Sequence, residues 1–444
     1  MSKEIKGSDI KEQLLQYRKS MDRLYYISIA ILVGYNIFGS STMSHYFFEW
    51  LYGLFGDMPG DLKTLIVETI CLIRYLIIFP ALYNIIVEVK ERKIRIVMVC
   101  MLLLGWFYTF YWREFSNTTI FEVMVVMVAS YGKDFKKAGY RSIVIAAVIL
   151  IVSFILSIAG VLPDFIKMRG DMERHAFGMM YCTDLAAHWC FLLLTCMFIK
   201  DGKMKWWFYV GAAILSVLNI VFVDARNSLI IVVLACIGSI VYQSVSKKEV
   251  KTASVIGNVF QWGLTFSFVI LAGLYMILNF AYSQSLVAIL EKIPGFSASI
   301  IPRLATSRRA TMMFPISLFG SPYIQIGDGM GTSEILGIYT FLDDSYISVY
   351  VIYGIVGLLL MLSLVTYGQY RLKREGHIFR LFIVSLVAID CFVEHHWTET
   401  GYNIFLLLPF MDFSQQTGAA DKGVTEDKAA EEQEAETDHS IPEE

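Results

Sequence analysis

Long apolar stretches recur along the chain and are separated by short polar connections. A helix that crosses the hydrocarbon core of a bilayer needs about 20 apolar residues. Twelve stretches approach or reach this length, at residues 23–40, 64–88, 95–112, 118–132, 142–162, 178–199, 206–223, 226–245, 259–281, 345–367, 377–393 and 400–413. The pattern predicts an all-α, polytopic membrane protein with about 12 transmembrane helices, of which the fourth and twelfth are short.

The composition agrees with this pattern. Hydrophobic residues make up 56% of the chain and charged residues 17%, and the mean hydropathy is +0.57, which excludes an ordinary soluble domain. The seven cysteines lie in or beside apolar stretches without a CxxC spacing. We therefore expect neither a disulfide framework nor a zinc site, and no cofactor.

Positive charge is concentrated in alternate connections. These are residues 1–22, 89–95, 133–141, 200–205, 247–251 and 371–374. The positive-inside rule places them in the cytoplasm, together with both termini, so we expect a multi-pass protein of the cytoplasmic (inner) membrane. Residues 1–22 are then a cytoplasmic segment and residues 23–413 the transmembrane domain. Residues 414–444 are rich in Glu and lack aromatic residues, which is typical of a disordered acidic cytoplasmic tail.

Two connections on the predicted outer side are long, at residues 163–177 and above all 282–344. Outer connections of such proteins usually carry few cations, yet these retain arginines. The guanidinium group binds phosphate through two parallel hydrogen bonds and keeps its charge, so a convergent set predicts a diphosphate site. The candidates are Arg174, Arg226, Arg303, Arg308 and Arg309. The alternative for each is an ordinary surface arginine on a solvated loop.

Several polar residues fall inside or beside the apolar stretches, where ionisable groups face an interior or a cavity. Arg74 lies deep in the second stretch, while Asp184 and His188 share one helical face. The latter two either pair with Arg74 or form the floor of a cavity. Asp224 and Asn227 flank Arg226 at a tight turn, and we count both as site candidates.

A second polar cluster precedes and enters the last stretch. Its members are Asp390, Glu394, His395, His396, Glu399 and Asn403. Adjacent histidines point apart on a helix, so we do not expect a metal site there. The connections on the cytoplasmic side carry no glycine-rich phosphate loop and no paired carboxylates for a nucleotide sugar, and no feature predicts a nucleic-acid partner.

Five short patches, taken in order along the twelve stretches, resemble the Wzy-type polymerases of capsular polysaccharide and O-antigen repeat units, and more distantly the O-antigen ligases. The patches are RHAFG at 174–178, DARNS at 224–228, SLFG at 317–320, LDDSY at 342–346 with YGIVG at 353–357, and Glu394 with NIFLL at 403–407. Ligase-like members carry His where this chain has Asp343, which favours a polymerase. Polymerase relatives often have Pro at the position of Ile404.

The resemblance implies a GT-C-like membrane fold and glycosyl transfer outside the membrane, without a metal. A growing chain would leave its undecaprenyl diphosphate and join the non-reducing sugar of an incoming lipid-linked oligosaccharide, yielding surface polysaccharide (exopolysaccharide, capsule or O-antigen). The arginines would bind the diphosphate. Asp343 is the first candidate base, Asp344 and His175 come next, and Glu394 or His395 are alternatives. A flippase and a chain-length regulator of the same pathway would be partners, with membrane lipid around the protein.

Two other readings stay open. A ligase that moves the finished glycan to another acceptor would use the same donor and the same arginines. A flippase or transporter of lipid-linked oligosaccharides would also explain twelve spans and intramembrane charges, although transporters often show two matching halves and here the long charged connection occurs once.

Overall fold

A computed structural model describes residues 7–56, 58–111, 119–246, 255–293, 296–315 and 317–413. The predicted acidic tail at 414–444 and the first residues of the predicted N-terminal segment lie outside this part of the chain. The described chain is mostly helical, as the sequence predicts.

Helices α1 to α8 account for the first half of the chain. They are α1 (Gly7–Gly39), α2 (Thr42–Leu54), α3 (Gly60–Cys71), α4 (Ile78–Tyr83), α5 (Arg92–Tyr111), α6 (Thr119–Ala129), α7 (Phe135–Ile158) and α8 (Asp184–Ile199). A 3-10 helix (Leu72–Ile77) joins α3 to α4, and a π-helix (Asn84–Glu88) follows α4. Strands β1 (Ile166–Arg169) and β2 (Met172–His175) form an antiparallel hairpin between α7 and α8.

Helices α9 to α17 account for the second half. They are α9 (Trp206–Leu218), α10 (Arg226–Ser246), α11 (Val255–Thr265), α12 (Ser267–Phe280), α13 (Gln284–Leu290), α14 (Phe296–Met313), α15 (Thr332–Leu336), α16 (Ser345–Arg374) and α17 (Ile378–Asp390). A π-helix (Asn219–Val223) extends α9, and 3-10 helices occupy Gly329–Gly331 and Ile404–Leu407. The predicted long connection at 282–344 therefore contains helices α13, α14 and α15.

Within the described residues, six helices are long and apolar enough to cross a membrane. They are Gly60–Glu88, Arg92–Tyr111, Phe135–Ile158, Trp206–Val223, Arg226–Val245 and Ser345–Arg374. A seventh is formed if α11 and α12, bent by 65° relative to each other, count as one span. Helices α6 and α8 are apolar but shorter. The structure thus supports a multi-pass membrane protein.

The stretch at 400–413, predicted as the twelfth transmembrane helix, is not a membrane-length helix; turns and the 3-10 helix Ile404–Leu407 occupy it. Leu406, Leu407 and Leu408 are at most 3% exposed. The stretch is apolar because it fills the protein interior rather than because it faces lipid. Non-helical backbone is tolerated at membrane depth where protein surrounds it.

Helix α16 is the central helix of the fold. Of its most apolar 18-residue window, 72% is buried inside the protein, against 22–28% for the other five candidate spans. Helices α11, α12, α14 and α17 pack around it. A helix that is buried on nearly all sides fixes the positions of its neighbours, so the ends of α16 determine where the surrounding elements meet.

Helix α16 is interrupted at Gly354, where φ is 69° and ψ is −168°. The backbone of residues 317–321 fills the interruption and replaces the lost helical hydrogen bonds. Three bonds join the segments: Ile355 N–H to Ser317 O (3.1 Å), Val356 N–H to Leu318 O (3.0 Å) and Ser321 N–H to Val351 O (2.8 Å). A side chain at Gly320 would overlap the Ile352 carbonyl, and one at Gly354 would lie 2.5 Å from the Leu318 carbonyl oxygen.

Replacing either glycine should destabilise the fold strongly. Gly354→Ala places a side chain in a backbone conformation reserved for glycine and against a neighbouring backbone. We expect a loss of at least about 2 kcal/mol in the free energy of unfolding. Thermal unfolding of the purified protein in detergent measures the effect.

The matched control is Gly211→Ala in α9, where an added Cβ would meet no heavy atom within 4 Å. Its unfolding temperature should stay the same or rise slightly, because alanine favours a helix over glycine by about 1 kcal/mol. Equal stability of the Gly354 and Gly211 variants would contradict this account of the interruption.

Candidate functional site

A cavity of about 410 Å³ lies at the end of the bundle where α8, α10 and α16 begin. This volume suits a small-molecule or headgroup site. Its walls come from β2, the turn before α10, helix α14, residues 327–343 and the turn after α17. Nine of the residues singled out by sequence line it: Arg174, Asp184, Asp224, Arg226, Asn227, Arg303, Asp343, Glu394 and His395.

One wall of the cavity carries excess positive charge. Asp224 accepts hydrogen bonds from Arg226 Nε at 2.9 Å and from Arg169 Nη1 at 3.2 Å. Its backbone is left-handed, with φ 47°, and the Asn219 side chain holds this turn by pairing with both backbone groups of Ala225. Burial favours a higher pKa for Asp224, but Arg226 and then Arg169 lower the pKa below its usual range. The Asp224 carboxylate therefore pairs with two guanidinium groups.

Arg174 is the third guanidinium group on this wall and the most enclosed, with 7% of its surface exposed. Its Nε donates to the Val223 carbonyl oxygen at 2.8 Å. The other cavity arginines pair with carboxylates, whereas within the described residues no carboxylate lies within 4.0 Å of Arg174. A buried cation without a counter-ion is costly, so this position favours an anionic ligand.

Another part of the cavity wall carries excess negative charge. Arg303 on α14 pairs with Glu394 at 3.2 Å and lies 3.6 Å from Asp343. Burial favours a lower pKa for Arg303, but the two carboxylates raise it above the usual value. The Tyr339 hydroxyl lies 3.3 Å from Asp343. Asp343 is thus held in place by a cation and a hydroxyl while it faces the cavity.

The turn after α17 holds the histidines of the polar cluster. Ser345, the first residue of α16, donates to the Glu394 carbonyl oxygen at 2.6 Å and accepts from the Trp397 N–H at 3.2 Å. The segment is a series of turns rather than a helix. The rings of His395 and His396 lie 4.7 Å apart, so the argument that they point apart on a helix does not apply.

Asp344 and His175, predicted as alternative bases, do not line the cavity. Asp344 is fully buried and caps α16: it accepts from the Ile347 N–H at 2.7 Å and from the Ser307 hydroxyl. Burial raises the pKa of Asp344 to about 6. His175 pairs with Asp164 at 2.6 Å beside the cavity. The carboxylates of Asp344 and Asp164 therefore hold the local structure in place.

Arg308 and Arg309 also lie away from the cavity. At 100° per residue they point about 140° and 120° away from Arg303 around α14, and Arg309 is exposed. Arg74 packs over the rings of Tyr35 and Tyr75, at 4.9 and 4.7 Å, rather than pairing with Asp184.

Sequence reasoning missed several cavity residues. Arg169 was one of three cations in its connection, Asp328 stood in a long segment without a motif, and Tyr339 was considered only as an aromatic side chain that could stack on a sugar. Asp328 pairs with Lys167 of β1 and so ties residues 327–343 to the hairpin. The distance in space between Asp328 and Lys167 would have indicated this pairing, but the sequence alone does not give that distance.

A scan against protein-family models matches no family, and searches of the curated proteins and of the solved structures find no match. The residues of the cavity are therefore the basis on which we infer the function.

The neighbouring aspartates should respond differently to truncation. Asp344→Ala removes the cap of α16 and leaves the Ser307 hydroxyl without its partner, so we expect a loss of about 2 kcal/mol in the free energy of unfolding. Asp343→Ala should change stability by less than about 1 kcal/mol, because Arg303 keeps Glu394. Unfolding temperatures of the two variants measure the difference, and equal losses would contradict the assigned roles.

Proposed function

We propose that this protein polymerises oligosaccharide repeat units carried on undecaprenyl diphosphate. It transfers the growing glycan from its lipid diphosphate to the terminal sugar of the next unit on the outer face of the cytoplasmic membrane. The supporting observation is the uneven pairing of charge in the cavity: Arg169, Arg174 and Arg226 have one carboxylate among them, that of Asp224, whereas Asp343 and Glu394 share one guanidinium group, that of Arg303.

The positive wall suits the donor. When the bond between the anomeric carbon and the diphosphate oxygen breaks, negative charge grows on the departing diphosphate. Arg174, which has no protein counter-ion among the described residues, and Arg226 stabilise that charge. Arg169 orients Asp224 and thereby holds Arg226 at the cavity rim. The guanidinium groups are fixed before the reaction, so little reorganisation is needed.

The acidic wall suits the acceptor. The attacking sugar hydroxyl forms the new glycosidic bond and loses its proton to the Asp343 carboxylate. Arg303 and Tyr339 orient this carboxylate. The proton later returns to water, and the lipid diphosphate leaves with the electron pair of the broken bond. Every step uses groups that line one cavity.

A second, basic cavity of about 870 Å³ supports the orientation. Its cations are Arg18, Lys19, Arg23, Lys90, Lys133, Lys137 and Arg141. It lies at the start of α7, and the β1–β2 hairpin of the first cavity follows the end of that helix, about 36 Å away at 1.5 Å per residue. Asp412 also lines it. We assign this end, with both chain termini, to the cytoplasm.

The remaining crossings complete the proposed topology. Helices α1, α6, α8 and α17 and the bent pair α11–α12 cross alongside the six long helices. The last crossing, from Glu394 at the first cavity to Asp412 at the basic one, is made by turns inside the protein. Twelve crossings return the chain to the side on which it starts.

Loss of Arg174 or Asp343 should abolish polymer while leaving single repeat units on their lipid. Removing one fixed donor to a developing anion lowers a rate by about 100-fold or more. We expect cells with Arg174→Ala or Asp343→Ala to lose long surface glycan at unchanged protein level, and cells with the gene deleted to lose it as well. Gel sizing of the surface glycan and of the lipid-linked pool measures this.

Arg309→Ala is the matched control, because Arg309 is an exposed arginine on the far face of the helix that carries Arg303. It should leave the glycan ladder unchanged. Lipid-linked units stranded on the cytoplasmic leaflet would indicate a flippase instead. Long polymer that persists on its lipid would indicate a ligase. Either result would overturn the proposal.

A further inference from the structure

Three potential metal ligands follow one another in the turn after α17. Glu394, His395 and His396 each offer one ligand atom, and these atoms lie within 4.8 Å of one another. The two hydrogen bonds that the Ser345 hydroxyl makes with Glu394 and Trp397, here called the Ser345 clamp, fix the turn against the start of α16. Donor atoms at such spacing on a fixed backbone are a first requirement for a metal site.

The histidines also show the outer partners that metal-bound histidines have. His395 Nε2 lies 3.3 Å from the Glu399 carboxylate, and His396 Nδ1 lies 3.0 Å from the Asp390 carboxylate. Metal-ligating histidines almost always bind a carboxylate or carbonyl through the second ring nitrogen. His395 Nδ1 is buried and, within the described residues, has no hydrogen-bond partner. This nitrogen is available to coordinate a metal ion, and burying it without any partner costs free energy.

The surroundings of the two rings are rich in carboxyl groups, which are ligands for dications. The charged neighbours of the rings are Asp343, Asp390, Glu394, Glu399 and Arg303. Four carboxyl side chains and one guanidinium group thus surround the two imidazole rings. Arg303 holds one oxygen of Glu394, and the other oxygen can coordinate a metal.

We propose that Glu394, His395 and His396 bind one transition-metal dication of the zinc type at the acidic wall of the cavity. Two imidazoles and one carboxylate form the ligand set that leaves a fourth position open. Ligand atoms 4.8 Å apart need to move inward by only about 0.7 Å to reach normal Zn–N and Zn–O distances. Glu394 and His395 line the cavity, so the open position takes water or an oxygen atom of the cavity's ligand.

The test is metal binding to the purified full chain, which needs no knowledge of the reaction. The protein is prepared with an affinity tag free of histidine, stripped with a chelator and titrated with zinc chloride. We expect one zinc ion per chain and, with cobalt in its place, a visible ligand-field spectrum. Zinc should also raise the unfolding temperature, because it binds only the folded chain.

His395→Ala and His396→Ala should each abolish the bound zinc and the cobalt spectrum. Glu399→Gln keeps the side-chain size and removes only the partner of His395, so it should weaken zinc binding about 10- to 100-fold. This variant keeps the proposal testable if the histidine variants fail to fold. His45→Ala is the control: His45 pairs with Glu49 at 3.2 Å on an exposed helix, and its loss should change nothing.

Two results would overturn the proposal. One is the absence of zinc binding by the original chain at micromolar concentrations. The other is unchanged stoichiometry and affinity in folded His395→Ala, His396→Ala and Glu399→Gln proteins. Both results leave the proposed polymerase activity intact, because none of the glycosyl-transfer steps uses the metal.

Discussion

Enclosed charge is the physical constraint on which this structure depends. Nearly every ionised group at the first cavity has a partner: Arg226 and Arg169 share Asp224, and Arg303 bridges Asp343 and Glu394. Pairing lets an apolar bundle tolerate so many charges at one end. Two places depart from this pairing. Arg174 has no carboxylate partner among the described residues, and several carboxyl groups surround the two histidines. An anion at the first and a cation at the second would complete the pairing.

Helix α16 provides the frame that brings these charges together. Its interruption at Gly354 receives the backbone of residues 317–321, which ties the long connection between α12 and α16 to the centre of the bundle. Its first turn carries the Asp344 cap and the Ser345 clamp, so Asp343 and the histidine turn are placed by the same helix end. The positions of both walls therefore follow from one buried element.

The sequence predicts the helical fold and most of the cavity because hydropathy and the clustering of charged residues between apolar stretches are local properties of the chain. It fails where the answer depends on rotation or packing. Arg308 and Arg309 have the right chemistry on the wrong faces of α14, and Asp344 differs from Asp343 only in facing the helix it caps. The stretch at 400–413 is apolar for the interior rather than for lipid, and the metal argument at His395 and His396 assumed a helix where the chain makes turns.

The most direct test of the central claim is reconstitution of the purified chain in lipid vesicles with a lipid-linked repeat unit. The account predicts that undecaprenyl-diphosphate-linked units are joined into a ladder with release of free lipid diphosphate, and that the Arg174→Ala protein binds the units more weakly and joins none. A protein that carries the units across the bilayer without joining them, or an Arg174→Ala protein with undiminished ladder formation, would contradict it.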